Sequence, residues 1–499
     1  MGTRVAKGQR RDIRESIFGE YSLGVSTNRD RFVYDFNNKT LEKTVESLSQ
    51  KYSAEMDRWE RAGKPEDIDK FVDNSAIKWS HFLKRKLTQL QPGMATTSAV
   101  VPCEYRPFTM KFLHFDYTFV DAPGLQRRFF PKSDCENRAI FVSDKGYRAP
   151  FSTLAVSRVA DLHLCASEDG FQCFPFYTYS EDGTNRRENI TDWALEQFRS
   201  HYGDPSITKW DIFHYVYAVL HHPEYRQRYA ANLRRELPRI PFVGTSGAKA
   251  RIKDDANAAI NGRSSTNTQS SDEKFSAQIS AAKVGGENAS TRSSQNDTGP
   301  RSFDSGNRFA SESVSSAQDD TGGVVNGSAQ DDRNVVSGAA AQDDRTGEMR
   351  DVDVFRAFVK AGQRLAEIHV HYEQQPEYPL TKTERAGEKL DYRVEKMKLN
   401  KDKTTLTYNR FLTLSGIPKE TYDYRLGNRC ALEWIVDQYQ ISTDKRSGIT
   451  NDPNRAADPN YILRLIGQVI TVSLETVKIV ASFPALGLPD VAVPAGTTE

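Results

Sequence analysis

ITKWDIFHYVYAVLHHPEYRQRYAANLRRELPRIPF, residues Ile207–Phe242, reads as two helices on a hinge. Thr208 is placed to cap the first, and Asp211, three residues on, closes a capping box. Ile212, Phe213, Val216, Tyr217, Val219 and Leu220 then recur at helical spacing and define a broad apolar face. Pro223 stops that helix and suits the first turn of the next. The second helix carries Tyr225, Tyr229 and Leu233 on one side and Arg226, Arg228, Arg234 and Arg235 around the rest, until Pro238 and Pro241 end it. Pattern alone makes this hairpin a packing unit.

Upstream of the hairpin, Val100 to Tyr179 alternates short aromatic and β-branched runs with turns, which is sheet territory. Leu41 to Leu90 is helical in pattern, with Leu41, Val45, Leu48 and Tyr52 on one face, and Pro92-Gly93 breaks it. Before that, YSLGVSTNRDRFVYDFN (Tyr21–Asn37) has a glycine turn, a polar loop, and an alternation of Phe32, Tyr34 and Phe36 that predicts a short strand. Downstream, Gly244 to about Asp351 is rich in Ser, Gly, Ala, Asn, Asp and Gln and holds a tandem repeat: SAQDDTGGVVNG (316–327), SAQDDRNVVSGA (328–339), AAQDDRTGEMRD (340–351). The unit is too polar to bury a core, so a disordered tether is expected. An amphipathic helix follows from Val354, and a long apolar one closes the chain from Tyr461 to Phe483. Arg464, Gln468, Glu475 and Lys478 interrupt that last run, which therefore reads as buried rather than membrane-spanning.

The totals narrow the class. In 499 residues, Lys+Arg 68 against Asp+Glu 67 leaves a net charge of +1, so contact with a polyanion needs a local patch. Arg127, Arg128, Lys132, Arg138, Lys145, Arg148 and Arg158 lie in one stretch with only Asp134, Glu136 and Asp144 against them, a local excess of four. Five cysteines are scattered without a CxxC, as in a reducing cytoplasm, and the basic N-terminus has no apolar core of a signal peptide. No Pro-Pro pair exists to make an amino-methyltransferase motif, no GxxxxGK[ST] to cradle a phosphate, and no nuclease carboxylate cluster stands out. His163, Cys165 and Cys173 lack a fourth ligand and read as packing.

The wording of several blocks resembles the C-terminal specificity region of type ISP restriction–modification enzymes. The blocks are the hairpin itself, Tyr21–Phe36, Tyr105–Phe108, Asp161–Leu164, Cys173–Tyr179, the helix from Val354, TLTYNRFLTLSGIP, YDYRLGNRCALEWIVDQYQISTDKRSGITNDPN and the final helix. The resemblance covers roughly 20–243 and 354–483. It implies an α+β fold: a helical connector (1–99), a mixed-sheet target-recognition core with the hairpin (100–243) and a C-terminal helical part (352–485); the disordered low-complexity insert (244–351) departs from the family's much shorter connection, and a disordered tail (486–499) ends the chain. It implies recognition of double-stranded DNA alongside an upstream methyltransferase and helicase polypeptide. S-adenosylmethionine, ATP and magnesium would then belong to parts whose motifs are missing here, and this chain would bind no cofactor or metal and carry no catalytic residue.

The residues assigned to DNA contact are Arg127, Arg128, Lys132, Lys145, Arg148 and Arg158, with Arg106 and Arg29 after them. The loop Thr27–Asp30 and the loop STDKRSGITNDPN read either as DNA contacts or as turns tied by their own hydrogen bonds. A different class remains open: a truncated or repurposed fragment that acts as a protein-interaction module. A self-sufficient nuclease or methyltransferase lacks every motif it would need.

Overall fold

The computed structural model describes residues 15–74, 77–93, 99–244 and 350–488. The repeats up to residue 349, the tail from residue 489 and the first 14 residues lie outside the described residues. Helix α1 (Asn38–Arg61) and helix α2 (His81–Thr88) form the N-terminal stretch, as the spacing of Leu41, Val45, Leu48 and Tyr52 predicts. Asn37 and Ser80 cap them, each side-chain oxygen accepting a backbone N–H of the first turn.

Strands β1 (Ser22–Leu23), β2 (Tyr34–Asp35), β3 (Val100–Arg106), β4 (Thr109–His114), β5 (Ala139–Ser143), β6 (Thr153–Val156), β7 (Val159–Ala160) and β8 (Phe171–Pro175) build two sheets. Their orders are β2-β4-β3-β7 and β1-β8-β5-β6. The N-terminal stretch is thus woven into both, because β1 pairs with β8 and β2 with β4. Where alternating Phe32, Tyr34 and Phe36 predicted one strand, a single helical turn at Asp30–Val33 precedes a two-residue strand. β3 and β7 run parallel and every other pairing in these sheets is antiparallel, so the sheet is mixed.

The second sheet is buried on both faces. On β5, Ala139 and Phe141 face one apolar core and Ile140 and Val142 the other, as the period of two in a strand requires. The second core is closed by the hairpin. Helix α3 (Asp192–Tyr202) precedes it; helix α4 (Lys209–His221) has the expected capping box, with Thr208 and Asp211 bonding each other's backbone N–H. Ten consecutive α4 residues, Ile212 to His221, are buried. Pro223 opens helix α5 (Pro223–Arg228), and the chain breaks at Tyr229 before a further turn at Ala230–Arg235.

Helix α6 (Asp351–Val370) lies against α4. Gly362 makes that approach possible: a Cβ there would stand 1.9 Å from the His214 carbonyl oxygen. A buried relay fixes the seam. The Ala155 N–H donates to the Tyr217 hydroxyl (2.8 Å), which meets His369 Nδ1 at 2.6 Å, and His369 Nε2 meets Thr476 Oγ1 at 2.9 Å. Burial, aided by the Arg226 charge, pushes the His369 pKa down to about 3, so the ring is neutral.

The C-terminal part is not wholly helical. A third sheet, in the order Thr381–Glu384, Leu412–Ser415, Thr405–Thr407, Lys398–Leu399, precedes helices α7 (Ala431–Gln438) and α8 (Tyr461–Ala481) in the chain. Its outer strand Thr381–Glu384 is exposed along its whole length, so no apolar alternation announces it. The fold is α+β. No described helix is long and apolar enough to cross a membrane.

Candidate functional site

Two polar loops, read separately in the sequence, meet in the fold. Arg31 donates from Nη1 to Ser442 Oγ at 2.7 Å across 411 residues of chain. Between them, Ser26–Arg31 on one side and Asp444, Arg446 and Ser447 on the other line a cleft of about 500 Å³, with Lys78, Tyr105, Arg106, Asp161 and His163 completing its wall.

Backbone geometry places the first loop. A Cβ on Gly24 would lie 2.6 Å from the Asp161 carbonyl oxygen, so only glycine lets the chain run this close to β7. Val25 then bonds Ala160 and Leu162, and Ser26 bonds Ala122 in both directions. Asn28 sits at φ 56°, a left-handed position that asparagine tolerates better than most side chains. The second loop is the tip of a hairpin, Ser442–Thr443 with Thr450–Asn451. Asp444 Oδ1 accepts from Ser447 N and Ser447 Oγ, both at 2.8 Å, and from Arg446 N at 3.2 Å. Asn451 anchors the hairpin, its amide donating to Asp35 Oδ2 at 3.2 Å.

The cleft wall holds a closed set of charge partners. Asp30 accepts from Thr27 Oγ1 and, at 3.0 Å, from the Tyr105 hydroxyl. Burial works against its charge, but the Thr27 bond, the Arg106 charge and the Tyr105 bond outweigh it and hold its pKa below the ordinary value. Arg106 pairs with Asp161 at 2.7 Å and lies over the Tyr105 ring at 4.1 Å. Asp161 also accepts from Tyr34 (3.1 Å) and from the His163 N–H (2.8 Å). Behind Tyr105, the buried Lys111 ammonium stands 4.0 Å from that ring and 4.7 Å from Phe36. Burial, with the Arg106 and Arg31 charges, lowers its pKa to about 7.

Two of the assigned DNA contacts lie inside the fold. Arg29 is 1% exposed: Nη1 pairs with Asp121 at 2.8 Å and donates to the Phe119 carbonyl, while Nη2 donates to Ser80 Oγ at 2.7 Å. It staples the loop to the N-terminus of α2. Arg106 is equally internal, in the Asp161 pair. Arg29 is closed off from solvent, and the Arg106 guanidinium, held in its Asp161 pair, shows only a small edge to the cleft.

Most of the other assigned residues are engaged by partners within the chain. Arg128 pairs with Glu20 (2.9 Å), Arg148 with Glu168 and Asp169 (2.9 Å each), and Arg158 faces Glu104 at 3.9 Å. Arg138 pairs with Glu367 at 2.7 Å. Arg127 donates to the Phe115 carbonyl and lies over the Phe115 and Tyr117 rings at 4.8 and 4.3 Å. Lys132 and Lys145 are exposed. The local charge excess of the sequence is therefore offset by acids from elsewhere in the chain.

What the sequence reading missed is the trio at the cleft, Arg31, Lys78 and Arg446. Among the described residues none of the three forms an ion pair, whereas all three carboxylates of the cleft are bonded internally. Arg446 stood inside the quoted STDKRSG loop, but nothing local distinguishes it from Lys445 beside it. No cluster of three or more His, Cys, Asp or Glu suited to a metal occurs among the described residues. His163 Nδ1 faces the Asp169 carbonyl at 3.1 Å, and burial raises the Cys165 and Cys173 thiols above their ordinary pKa.

This arrangement is that of a specificity domain. The chain matches the Type ISP C-terminal specificity domain over residues 16–318 and 348–465, and it belongs to that family. Among solved structures it is similar to a nuclease-deletion mutant of the Type ISP restriction-modification enzyme LlaGI in complex with a DNA substrate mimic. Identity there is 26%, with TM-score 0.65, over 96% of this chain and 34% of that one. A DrdV–DNA complex is similar at 27% identity and TM-score 0.65, over 96% of this chain and 36% of that one. ATP-dependent LlaBIII bound to DNA shares the fold at 23% identity and TM-score 0.65, over 98% of this chain and 24% of that one. The chain spans about a third of the length of the first two. No curated protein matches it.

Proposed function

We propose that this chain reads a short, asymmetric double-stranded DNA sequence and so directs where a type ISP restriction–modification enzyme acts. The observation that carries this reading is the alignment over 96% of the chain with a family member held on a DNA substrate mimic. In that setting the chain serves an adenine-N6 methyltransferase and a motor, on the same polypeptide or a separate one, in the cytoplasm. Recognition lets the methyltransferase extrude one adenine and tells the motor whether the site is modified. S-adenosylmethionine, ATP and magnesium would act in those other parts.

Of the assigned contacts, Lys132, Lys145 and Arg148 remain presented to solvent. Arg148 is engaged by Glu168 and Asp169, but its side chain is 64% exposed. Exposed pairs contribute little to stability, so DNA would displace these partners at little cost. Arg148→Ala is expected to weaken selective binding; unchanged affinity and selectivity would remove Arg148 from the interface.

The test of the whole reading is selection from a randomised duplex library by the purified chain, near physiological salt, where non-specific phosphate binding is suppressed. One enriched asymmetric motif supports it. No enrichment by the folded chain, either alone or with a methyltransferase half added, would favour a protein-interaction module instead.

A further inference from the structure

We propose that the cleft between Ser26–Arg31 and Asp444–Ser447 seats a backbone phosphate of the DNA, held by Arg31, Lys78 and Arg446, and takes no part in reading bases. The assignment rests on the DNA-binding reading above and adds a site and a ligand class to it.

The argument is what remains uncommitted at the cleft. A base edge is read by directional donors and acceptors. Three of the directional side chains here are already engaged: the Thr27 hydroxyl by Asp30, the Asn28 amide by Asp121 at 2.8 Å, and the Ser447 hydroxyl by Asp444 at 2.8 Å. The carboxylates are engaged as well, by Thr27 and Tyr105, by Arg106 and Tyr34, and by the turn at Ser447. An anion approaching the cleft therefore meets two carboxylates held by partners and a third, Asp444, that is tied to its own turn and lies in the field of the Arg31 charge.

Positive charge is what is left. Lys78 and Arg446 are exposed and form no ion pair among the described residues, and Arg31 spends one nitrogen on Ser442. A lysine ammonium is a mobile point charge and an arginine a fork that matches phosphate oxygens; together they fit a phosphodiester rather than a groove edge. Phosphate contacts fix position and register without carrying sequence. A seat built jointly by the N-terminal stretch and the Ser442–Asn451 hairpin would thus lock both parts of the chain to one point on the duplex.

The experiment compares the full chain with Lys78→Gln and Arg446→Gln on two duplexes, one carrying its selected sequence and one scrambled, across a salt series. Neither side chain makes a hydrogen bond or ion pair among the described residues, and thermal melts of both variants are the check that each is folded. Each variant is expected to bind both duplexes about fivefold more weakly at ~0.15 M salt. That is the factor given by a slope of about 0.9 per phosphate, and each log–log salt slope should fall by about 1. The preference for the selected duplex stays unchanged. Loss confined to the selected duplex would make these residues base readers and overturn the assignment, as would two variants that bind like the parent. A parent chain that binds neither duplex would instead refute the DNA reading itself.

Discussion

Replacing Arg29 separates a structural arginine from a DNA-contacting one. Its guanidinium is 0% exposed as a side chain and pairs with an Asp121 carboxylate that is 1% exposed. Burial lowers the Arg29 pKa, and the Asp121 charge and hydrogen bond oppose that loss. Arg29→Ala strands the Asp121 carboxylate, leaving it only the Asn28 amide, and frees the Phe119 carbonyl and the Ser80 hydroxyl. Breaking one side of a buried pair costs about 3–5 kcal/mol. For a unit of this size that lowers Tm by on the order of 5 °C. Removing both charges with Arg29→Met/Asp121→Leu should recover most of the loss, because a buried pair and an apolar pair of similar volume are near equal in stability. Thermal melts of the parent, single and double variants give the cycle, and DNA binding is measured on the double variant. The reasoning is refuted if Arg29→Ala melts like the parent, or if the double variant is stable yet has lost DNA binding.

Further outcomes follow from the same contacts. Gly362→Ala should destabilise by about 1–3 kcal/mol through overpacking against the His214 carbonyl, although alanine in an open helix would add about 1 kcal/mol; a raised Tm would mean that α6 does not seat on α4 this closely. Acid should unfold the chain early. Burial, aided by neighbouring arginine charges, holds His214 to about 4, His369 to about 3 and His221 well below the ordinary 6.5. As pH falls through 6.5 the unfolded histidines gain protons and the folded ones do not, so stability is lost from there toward about pH 4. By pH 5 His214 and His369 amount to about 4 kcal/mol, and His221 acts in the same direction. Glu104, raised by burial to about 7 against the Arg158 charge, opposes them: it keeps its proton in the fold, and the strain of its ionised form, present at pH 7.5, is relieved by about 2 kcal/mol by pH 5. The net expectation is a lower Tm at pH 5 than at pH 7.5, and a melt that stays put or rises would contradict the histidine assignment. Replacing residues 245–349 with about six Gly and Ser residues should leave the melt of the remainder within about 2 kcal/mol and the DNA selectivity unchanged; lost selectivity would give the low-complexity segment a part in recognition.

Much of the frame was legible because it is written in local rules. The Thr208–Asp211 box, the Pro223 hinge and the helical spacing of Leu41 to Tyr52 each depend on residues within a turn or two, and each stands as read. The third sheet was not legible, since strands of two to four residues with an exposed Thr381–Glu384 edge carry no alternation. The site was least legible of all. Charge counted along the chain favoured Arg127 to Arg158, but ion pairs are made through space, and Glu20, Glu104, Glu168, Asp169 and Glu367 cancel much of that window. Arg31 and Arg446 gain meaning only once 411 residues of chain close on themselves between Arg31 and Ser442.

That closure also explains how a long polar segment can interrupt the domain without dividing it. The chain leaves at Gly244 and returns at Asp351, and the two are in contact: a Cβ on Gly244 would lie 2.9 Å from Asp351 Oδ1. Val243 is held by the Tyr202 and Tyr215 hydroxyls, and α6 begins at Asp351 itself. Both ends of the segment are thus fixed by the fold, independently of what joins them. Loop-closure entropy rises only as the logarithm of length, so lengthening a connection about tenfold costs about 2 kcal/mol. The Gly362 seat and the Tyr217–His369–Thr476 relay lie beyond that junction and hold α6 to α4 whatever the connection's length. The Arg31–Ser442 contact then carries the same continuity to the cleft, so both sides of the proposed phosphate seat are set by packing and not by the segment that separates them in sequence.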